Sequence, residues 1–351
     1  MRRLFLLLSL GFACSFAARA DEAALLRGAG SSAAQPVYAT WAQAYAAERG
    51  VRLEYDAAGS GAGIKKVLAG EADFGASDLV PAADALQGRD MVVVPTAVTG
   101  AVPVVNLPGV AGGALRLDGT TLADIFAGHI RRWNDAAIRS LNPGLKLPDL
   151  AIQRIVRSDG SGTTWNFADY LAKASPRWRA DFGVATRFDW KGEVTAVKGS
   201  GGVVDAVSRT PGAIAYVDYN YVVRHALTAV ALRNRDGAFV SANIDSFAAA
   251  LAASPWPRSG DFSATLTDQV GSRSWPITMG TFIVLPRRSS APGVRRAVEF
   301  FTWAFMHGDE LVKTSHFVRL PDSVQAKAFR GLSSVTDDAG NPIGFTGLGR
   351  R

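Results

Sequence analysis

The chain has 351 residues, 48% of them hydrophobic and 20% charged, with 36 Gly and 16 Pro. That balance excludes a disordered, collagen-like or coiled-coil protein, and at roughly 150 residues per domain it predicts two domains, each large enough to bury its own core. The net charge of +7 comes from Lys and Arg scattered among acids with no basic blocks, which argues against a nucleic-acid partner.

Met1-Arg2-Arg3, the apolar run Leu4 to Phe16 and Ala18-Arg19-Ala20 make the three parts of a secretory signal peptide, so residues 1–20 are expected to be removed. The run is shorter than the roughly 20 residues of a bilayer span. Removal takes away Arg2, Arg3 and Arg19, leaving a formal charge of +4, and also Cys14, the only cysteine. A mature chain from Asp21 then has no disulfide, thiol nucleophile or cysteine-based metal site. Acylation of Cys14 is the alternative fate, but Gly11 and Phe12 precede it where a bulky aliphatic and a small residue are usual.

In chain order, short apolar strands alternate with amphipathic helices. Val37, Trp41 and Tyr45 recur at i, i+4, i+8 and predict a first helix; Val51 to Tyr55 alternates as a strand; Ile64, Val67 and Leu68 mark a second helix. Met91 to Val94, Ile152 to Val156, Ala213 to Val217 and Phe282 to Leu285 read as buried strands. Val294, Val298 and Phe301 mark a late helix, and Asn142 to Pro148 and Ser254 to Gly260 read as turn-rich connections. The aromatic residues in these stripes are assigned to core packing. The alternation predicts an α/β architecture, in which ligands sit where the carboxyl ends of strands lead into helices.

Three such junctions are rich in glycine and hydroxyls. Gly28-Ala-Gly-Ser-Ser-Ala33 precedes the first helix, and Ala58-Gly-Ser-Gly-Ala-Gly63 precedes the second. The third, Arg157-Ser-Asp-Gly-Ser-Gly-Thr-Thr164, adds a guanidinium to hydroxyls and unpartnered helix N–H groups within eight residues, a strong anion signal. Ser31 or Ser32 also suits a plain N-cap, and Arg157 with Asp159 suits a surface ion pair. In the anion reading, Asp159 instead fixes the Arg157 fork before a ligand arrives. Asp78 ends a predicted strand; it reads either as a helix cap before Pro81 or as a carboxylate that accepts the proton of hydrogen phosphate, which sulfate lacks.

Several segments, in order and spacing, make the chain resemble the PstS family, the periplasmic phosphate-binding proteins of phosphate-specific ABC transporters. They are Gly28-Ala-Gly-Ser-Ser with Pro36-Val-Tyr38, Asp73-Phe-Gly-Ala-Ser-Asp78, Leu117 to Phe126, Asn142 to Pro148, Asp159-Gly-Ser-Gly-Thr163, Pro211 to Tyr216 and Trp275-Pro-Ile-Thr278. The resemblance implies a type II periplasmic binding protein. Lobe I would comprise 21–100 and 272–351 and lobe II 101–271, with hinge strands between them and one phosphate in the cleft. It implies phosphate donors at Ser32, Ala33, Ser60, Arg157, Ser161, Gly162 and Thr163, an acceptor at Asp78, and support of Arg157 by Asp159. The chain departs from the family at positions 32 and 33, commonly Thr and Phe, here Ser and Ala. The implied partners are inorganic phosphate and the permease subunits with their ATPase; the implied state is a monomer in the periplasm with no cofactor.

Two other functions compete. An exported phosphatase or phosphoesterase would use the same loops, but His129, His225, His307 and His316 show no metal-ligand spacing, and the serine loops only approximate a nucleophile elbow. Gly28-x-Gly30-x-x-Ala33 fits a dinucleotide fingerprint, a weak motif alone and a poor match to an exported chain with three anion loops.

Overall fold

The structure, a computed structural model, describes residues 24–344, so the predicted signal peptide and Cys14 lie outside the described residues. The first segment runs β1 (Ala24–Gly30), α1 (Gln35–Arg49), β2 (Val51–Asp56), α2 (Ser60–Ala69), β3 (Phe74–Ser77) and β4 (Met91–Asn106). The middle holds β5 (Arg116–Leu117), α3 (Gly119–Ala127), α4 (Ala136–Leu141), β6 (Gln153–Arg157), α5 (Gly162–Ala174), α6 (Pro176–Asp181), β7 (Thr195–Val197), α7 (Gly199–Arg209), β8 (Ala213–Asp218) and α8 (Tyr219–Arg224). It continues through β9 (Thr228–Ala229), β10 (Ala231–Arg233), β11 (Phe239–Val240), α9 (Ile244–Ala253) and α10 (Trp256–Ser259). The chain then returns through β12 (Thr278–Pro286), α11 (Pro292–His307), α12 (Asp309–Thr314) and α13 (Asp322–Ser333). The α/β class and the predicted helices at 37–45, 64–68 and 294–301 are present.

One sheet holds nine strands in the order β2-β1-β3-β12-β4-β8-β6-β7, with β9 also on β4; β11-β10-β5 form a small second sheet. β1 pairs in parallel with β2 and β3, and β6 pairs in parallel with β7 and β8. Between these two parallel groups lie β12 and β4. β4 changes partner midway: Met91 to Gly100 pair with β12, and Ala101 to Asn106 pair with β8.

The strand predicted at Met91 to Val94 is therefore only the first quarter of a 16-residue element. Pro95 hides the rest, because a proline normally argues against a strand interior. Here the register slips beside it: Phe282 opposes Pro95 and Thr281 opposes Ala97, so Thr96 is the extra residue of a bulge. The Thr96 hydroxyl is not lost from the bonding, since it donates to Thr281 O at 3.1 Å and meets Tyr38 Oη at 3.0 Å. The second difference is at 254–260, read as a turn-rich connection, where the short α10 forms with Trp256 buried beneath it.

The predicted aromatic stripes do pack into core. Phe301 lies 5.4 Å from Tyr38, 6.5 Å from Trp41, 5.0 Å from Phe74 and 4.9 Å from Phe300, ring centre to ring centre. A second cluster, Phe126, Phe167 and Tyr216, stacks behind the third loop, and the Tyr216 hydroxyl meets Thr164 Oγ1 at 2.9 Å. Both clusters sit directly beneath loops that enter the site described below, so they hold those loops to the sheet. Phe301→Ala is expected to lower stability by about 3–5 kcal/mol in urea unfolding, since four rings cannot all close on the void. A loss under about 1 kcal/mol would show that they can.

Candidate functional site

The first loop leaves β1 at Gly30 and turns at residues 32–34 before α1. Ser31 closes this turn, its Oγ accepting from Ala33 N at 3.0 Å and Ala34 N at 3.2 Å, while α1 itself is capped by Ala34 without a side-chain bond, so the plain N-cap reading of Ser31 or Ser32 does not hold. The same hydroxyl donates to Asp78 Oδ1 at 2.6 Å. Ser32 points elsewhere: its Oγ lies 2.9 Å from Ser200 Oγ and accepts from Ser200 N at 3.2 Å, 168 residues away. Ala33 is fully buried within the main core.

The second loop brings Ser60, the first residue of α2, under Asp78: Ser60 Oγ accepts from Asp78 N at 3.2 Å. Gly61 N donates to Gly160 O at 3.1 Å, tying the second loop to the third. Two glycines make this approach possible. Gly59 has φ 98°, and a Cβ there would fall 2.4 Å from Asp159 Oδ2; a Cβ on Gly162 would fall 2.6 Å from Ser60 Oγ and 2.7 Å from Asp78 Cβ. Asn166 closes the gap from the other side, donating through Nδ2 to Asp78 O at 2.7 Å and Gly162 O at 2.9 Å.

The third loop carries the charge. Arg157 Nε donates to Asp159 Oδ1 at 2.7 Å and Nη2 to Asp159 Oδ2 at 2.5 Å, and the side chains are 3% and 9% exposed. This is a buried bidentate pair, and the surface ion pair considered from the sequence does not occur. Gly199 N adds a third bond to Asp159 Oδ1 at 3.0 Å. Burial alone would raise the Asp159 carboxyl, but the Arg157 hydrogen bonds and charge and the Gly199 N–H together hold it below its ordinary value. Behind it, Ser161 caps α5 by accepting from Thr164 N at 3.1 Å, while Gly162 N and Thr163 N have no acceptor within the helix. Thr163 Oγ1 is buried with no hydrogen-bond partner.

Asp78 directly follows β3, and residues 83–88 form turns, so the helix-cap reading does not hold. It is 3% exposed, and burial pushes its carboxyl up to about 6 against the opposing pull of the Ser31 hydroxyl, the Arg157 charge and Ser60. Of the nine residues singled out in the sequence, Ser60, Asp78 and Gly162 pack directly together, Ser161 and Thr163 flank Gly162 at the start of α5, Arg157 and Asp159 bond each other where Gly59 approaches Asp159, and Ala33 is joined to Asp78 through Ser31. Ser32 borders them from the Ser200 side.

Sequence reasoning gave Ser31 only a capping role and did not single out Ser200 and Asp218. Ser200 is the second residue of α7 within Lys198-Gly-Ser-Gly-Gly202, which follows β7 and repeats the glycine and hydroxyl pattern of the other three loops, so a signal was there. Asp218 ends β8 as Asp78 follows β3, an acid after an apolar strand in both cases. The histidines lie apart: His225 stacks on Tyr221, His307 packs near Trp303 and His129 lies 3.5 Å from Arg177. Among the described residues no group of three or more His, Cys, Asp or Glu could hold a metal.

Residues 17–305 match the family model described as a PBP superfamily domain. The chain is 40% identical over 300 residues to the phosphate-binding protein PstS of Xylella fastidiosa strain Temecula1, covering 85% of this chain and 82% of that one. It is 39% identical over 307 residues to the PstS of Pasteurella multocida, covering 87% and 89%. Among solved structures, a phosphate-binding protein from Stenotrophomonas maltophilia superposes with a TM-score of 0.67 over 88% of this chain and 94% of that one; at 19% identity the likeness is one of fold. The chain belongs to the PstS family of phosphate-binding proteins.

Proposed function

We propose that the protein captures inorganic phosphate in the periplasm, between two lobes, and delivers it to the permease and ATPase subunits of an ABC importer. It acts as a binding component and not as an enzyme. The signal peptide over residues 1–20 supplies export. Among the described residues no helix is long and apolar enough to cross a membrane.

The observation that carries this reading is one buried acceptor set among many donors. Asp78 is the acceptor; the donors are Ser60, the Arg157 guanidinium, Ser161, the Gly162 and Thr163 amides and the Thr163 hydroxyl. Ser32 and Ala33 complete the proposed set from the first loop, although Ala33 N is already given to Ser31 Oγ at 3.0 Å. Asp159 takes two donors of the Arg157 fork and so fixes the orientation of the rest before the ligand arrives. Asp78 remains ionised at neutral pH and accepts the proton of hydrogen phosphate in a charge-assisted bond.

The lobes are read as 21–100 with 272–351 and 101–271. This division is supported by the change of partner in β4 between Gly100 and Ala101 and by the start of β12 at Thr278. The bonds from Ser32 to Ser200, Gly61 to Gly160 and Asn166 to Asp78 all cross between these two parts, as a cleft closed over its ligand requires.

Sulfate would present a lone pair to Asp78 in a desolvated site, a penalty of several kcal/mol or about a thousandfold in affinity. Titration calorimetry with both anions is expected to show the phosphate preference narrowing by at least about tenfold in Asp78→Asn, or about 1.4 kcal/mol. An unchanged ratio would refute the acceptor role. Arg157→Ala is expected to cost more than about 2 kcal/mol of phosphate binding and to destabilise the fold, because Asp159 is left buried and unpaired. Arg157→Ala with Asp159→Ala should recover thermal stability without recovering affinity; a double variant that binds phosphate like wild type would remove the fork from the mechanism.

A further inference from the structure

Asp218 has no part in the donor and acceptor set above, yet it is the least satisfied polar group near it. The residue is fully buried, and neither carboxyl oxygen has a hydrogen-bond partner. It lies opposite Ala101, the first residue of β4 to pair with β8. The register puts Thr99 on the same face, and the Thr99 hydroxyl is also buried without a partner. The next residues on α8 reach across the cleft: Tyr221 Oη donates to Ser32 O at 3.4 Å, and Asn220 Nδ2 donates to Ser315 O at 2.6 Å. Asp218 thus stands where the two parts of the chain meet.

The charged and titratable groups around it are few. Asp78 reaches it from the end of β3, Arg157 from the end of β6 and Tyr221 from α8. Asp159 is bonded to Arg157, and Tyr216, two residues earlier on β8, is turned to Thr164. α7 contributes the neutral Ser200, whose hydroxyl favours the Asp218 anion but is already shared with Ser32. The nearby guanidinium is shared with Asp159, so two more carboxyls, Asp78 and Asp218, repel each other in one dry space.

Hydrogen bonds decide which of the two carries charge. Asp78 receives the Ser31 hydroxyl at 2.6 Å, whereas neither Asp218 oxygen has a hydrogen-bond partner and the Ser200 hydroxyl near it is engaged with Ser32. The anion therefore belongs on Asp78 and the proton on Asp218. Burial first, and then the Asp78 charge, push Asp218 well above the ordinary carboxyl range.

We propose that Asp218 is a proton site of the closed cleft, holding one proton while the lobes enclose the anion and thereby keeping Asp78 ionised as the acceptor. This rests on the phosphate reading and adds a second captured species to it. The closed state binds more protons than a hydrated cleft does, so closure is favoured as pH falls. Phosphate affinity is lost as pH rises from the ordinary carboxyl range toward the raised value in the closed cleft.

Calorimetry of phosphate binding in two buffers of different ionisation enthalpy counts the protons taken up. Above the ordinary carboxyl range the wild type is expected to take up more protons per phosphate than Asp218→Asn, and the variant's affinity should fall less steeply with pH. Equal counts and parallel pH profiles would overturn the proposal while leaving phosphate binding intact. No binding heat from the wild type would instead sink the phosphate reading, and this proposal with it. Should Asp218→Asn not fold, infrared difference spectra of wild type and Asp78→Asn with phosphate make the decision. A neutral carboxyl band surviving in Asp78→Asn belongs to Asp218, and its absence from both spectra refutes the assignment.

Discussion

The structure depends on holding a guanidinium and its carboxylate out of water with their geometry already set. Arg157 and Asp159 are almost fully buried, and a pair in that position repays its desolvation only when every donor and acceptor is matched. The two bonds of the fork and the third from Gly199 N match the Asp159 carboxylate and leave the remaining Arg157 donors for the proposed anion. The helix starts around it follow from the same need. α5 and α7 both begin here, and their first N–H groups supply partial positive charge that no side chain has to be ordered to provide. An anion entering such a site replaces its hydration shell with dipoles that need little rearrangement.

The sheet makes this arrangement reachable by two parts of one chain. β4 is shared between them, and its bulge at Thr96 and change of partner after Gly100 let it leave one parallel group and join the other without a break. A continuous strand transmits orientation far better than a loop would. In the proposed closing motion, a small twist at Gly100 and Ala101 would therefore move the Arg157 and Ser200 loops as a unit toward Ser60 and Asp78. The stacked pair Phe167 and Tyr216, with Tyr216 Oη bonded to Thr164, ties the third loop to β8, so that unit includes the start of α5.

Much of this was legible in the sequence because the chemistry is local. A strand, then glycine and hydroxyl residues, then a helix is a pattern read within ten residues, and all three predicted loops come together. Asp78 was visible for the same reason, as an acid directly after Phe74 to Ser77. What was hidden depends on orientation or on distant partners. Ser31 and Ser32 are adjacent serines with the same local credentials, and only the turn decides that one bonds Asp78 and the other Ser200. β4 was read as four residues because Pro95 interrupts its pattern, whereas the bulge absorbs the proline. Asp218 gains its meaning only from Asp78, 140 positions earlier in the chain, which no window could bring beside it.

The carboxyls illustrate why a site for an anion contains acids at all. Three lie close together, and in the proposed reading each is put to a different use by its surroundings. Asp159 is neutralised by the fork and serves to aim Arg157. Asp78 has a hydroxyl donor and a share of the Arg157 field, enough to stay charged and interrogate the ligand for a proton. Asp218 has neither in sufficient measure, and a third negative charge would raise the cost of the second. If Asp218 ionised in the closed cleft, Asp78 would be driven toward protonation and could no longer tell hydrogen phosphate from sulfate. On this proposal selectivity at Asp78 is conditional on neutrality at Asp218, and the two carboxyls function as one acid that has lost a single proton.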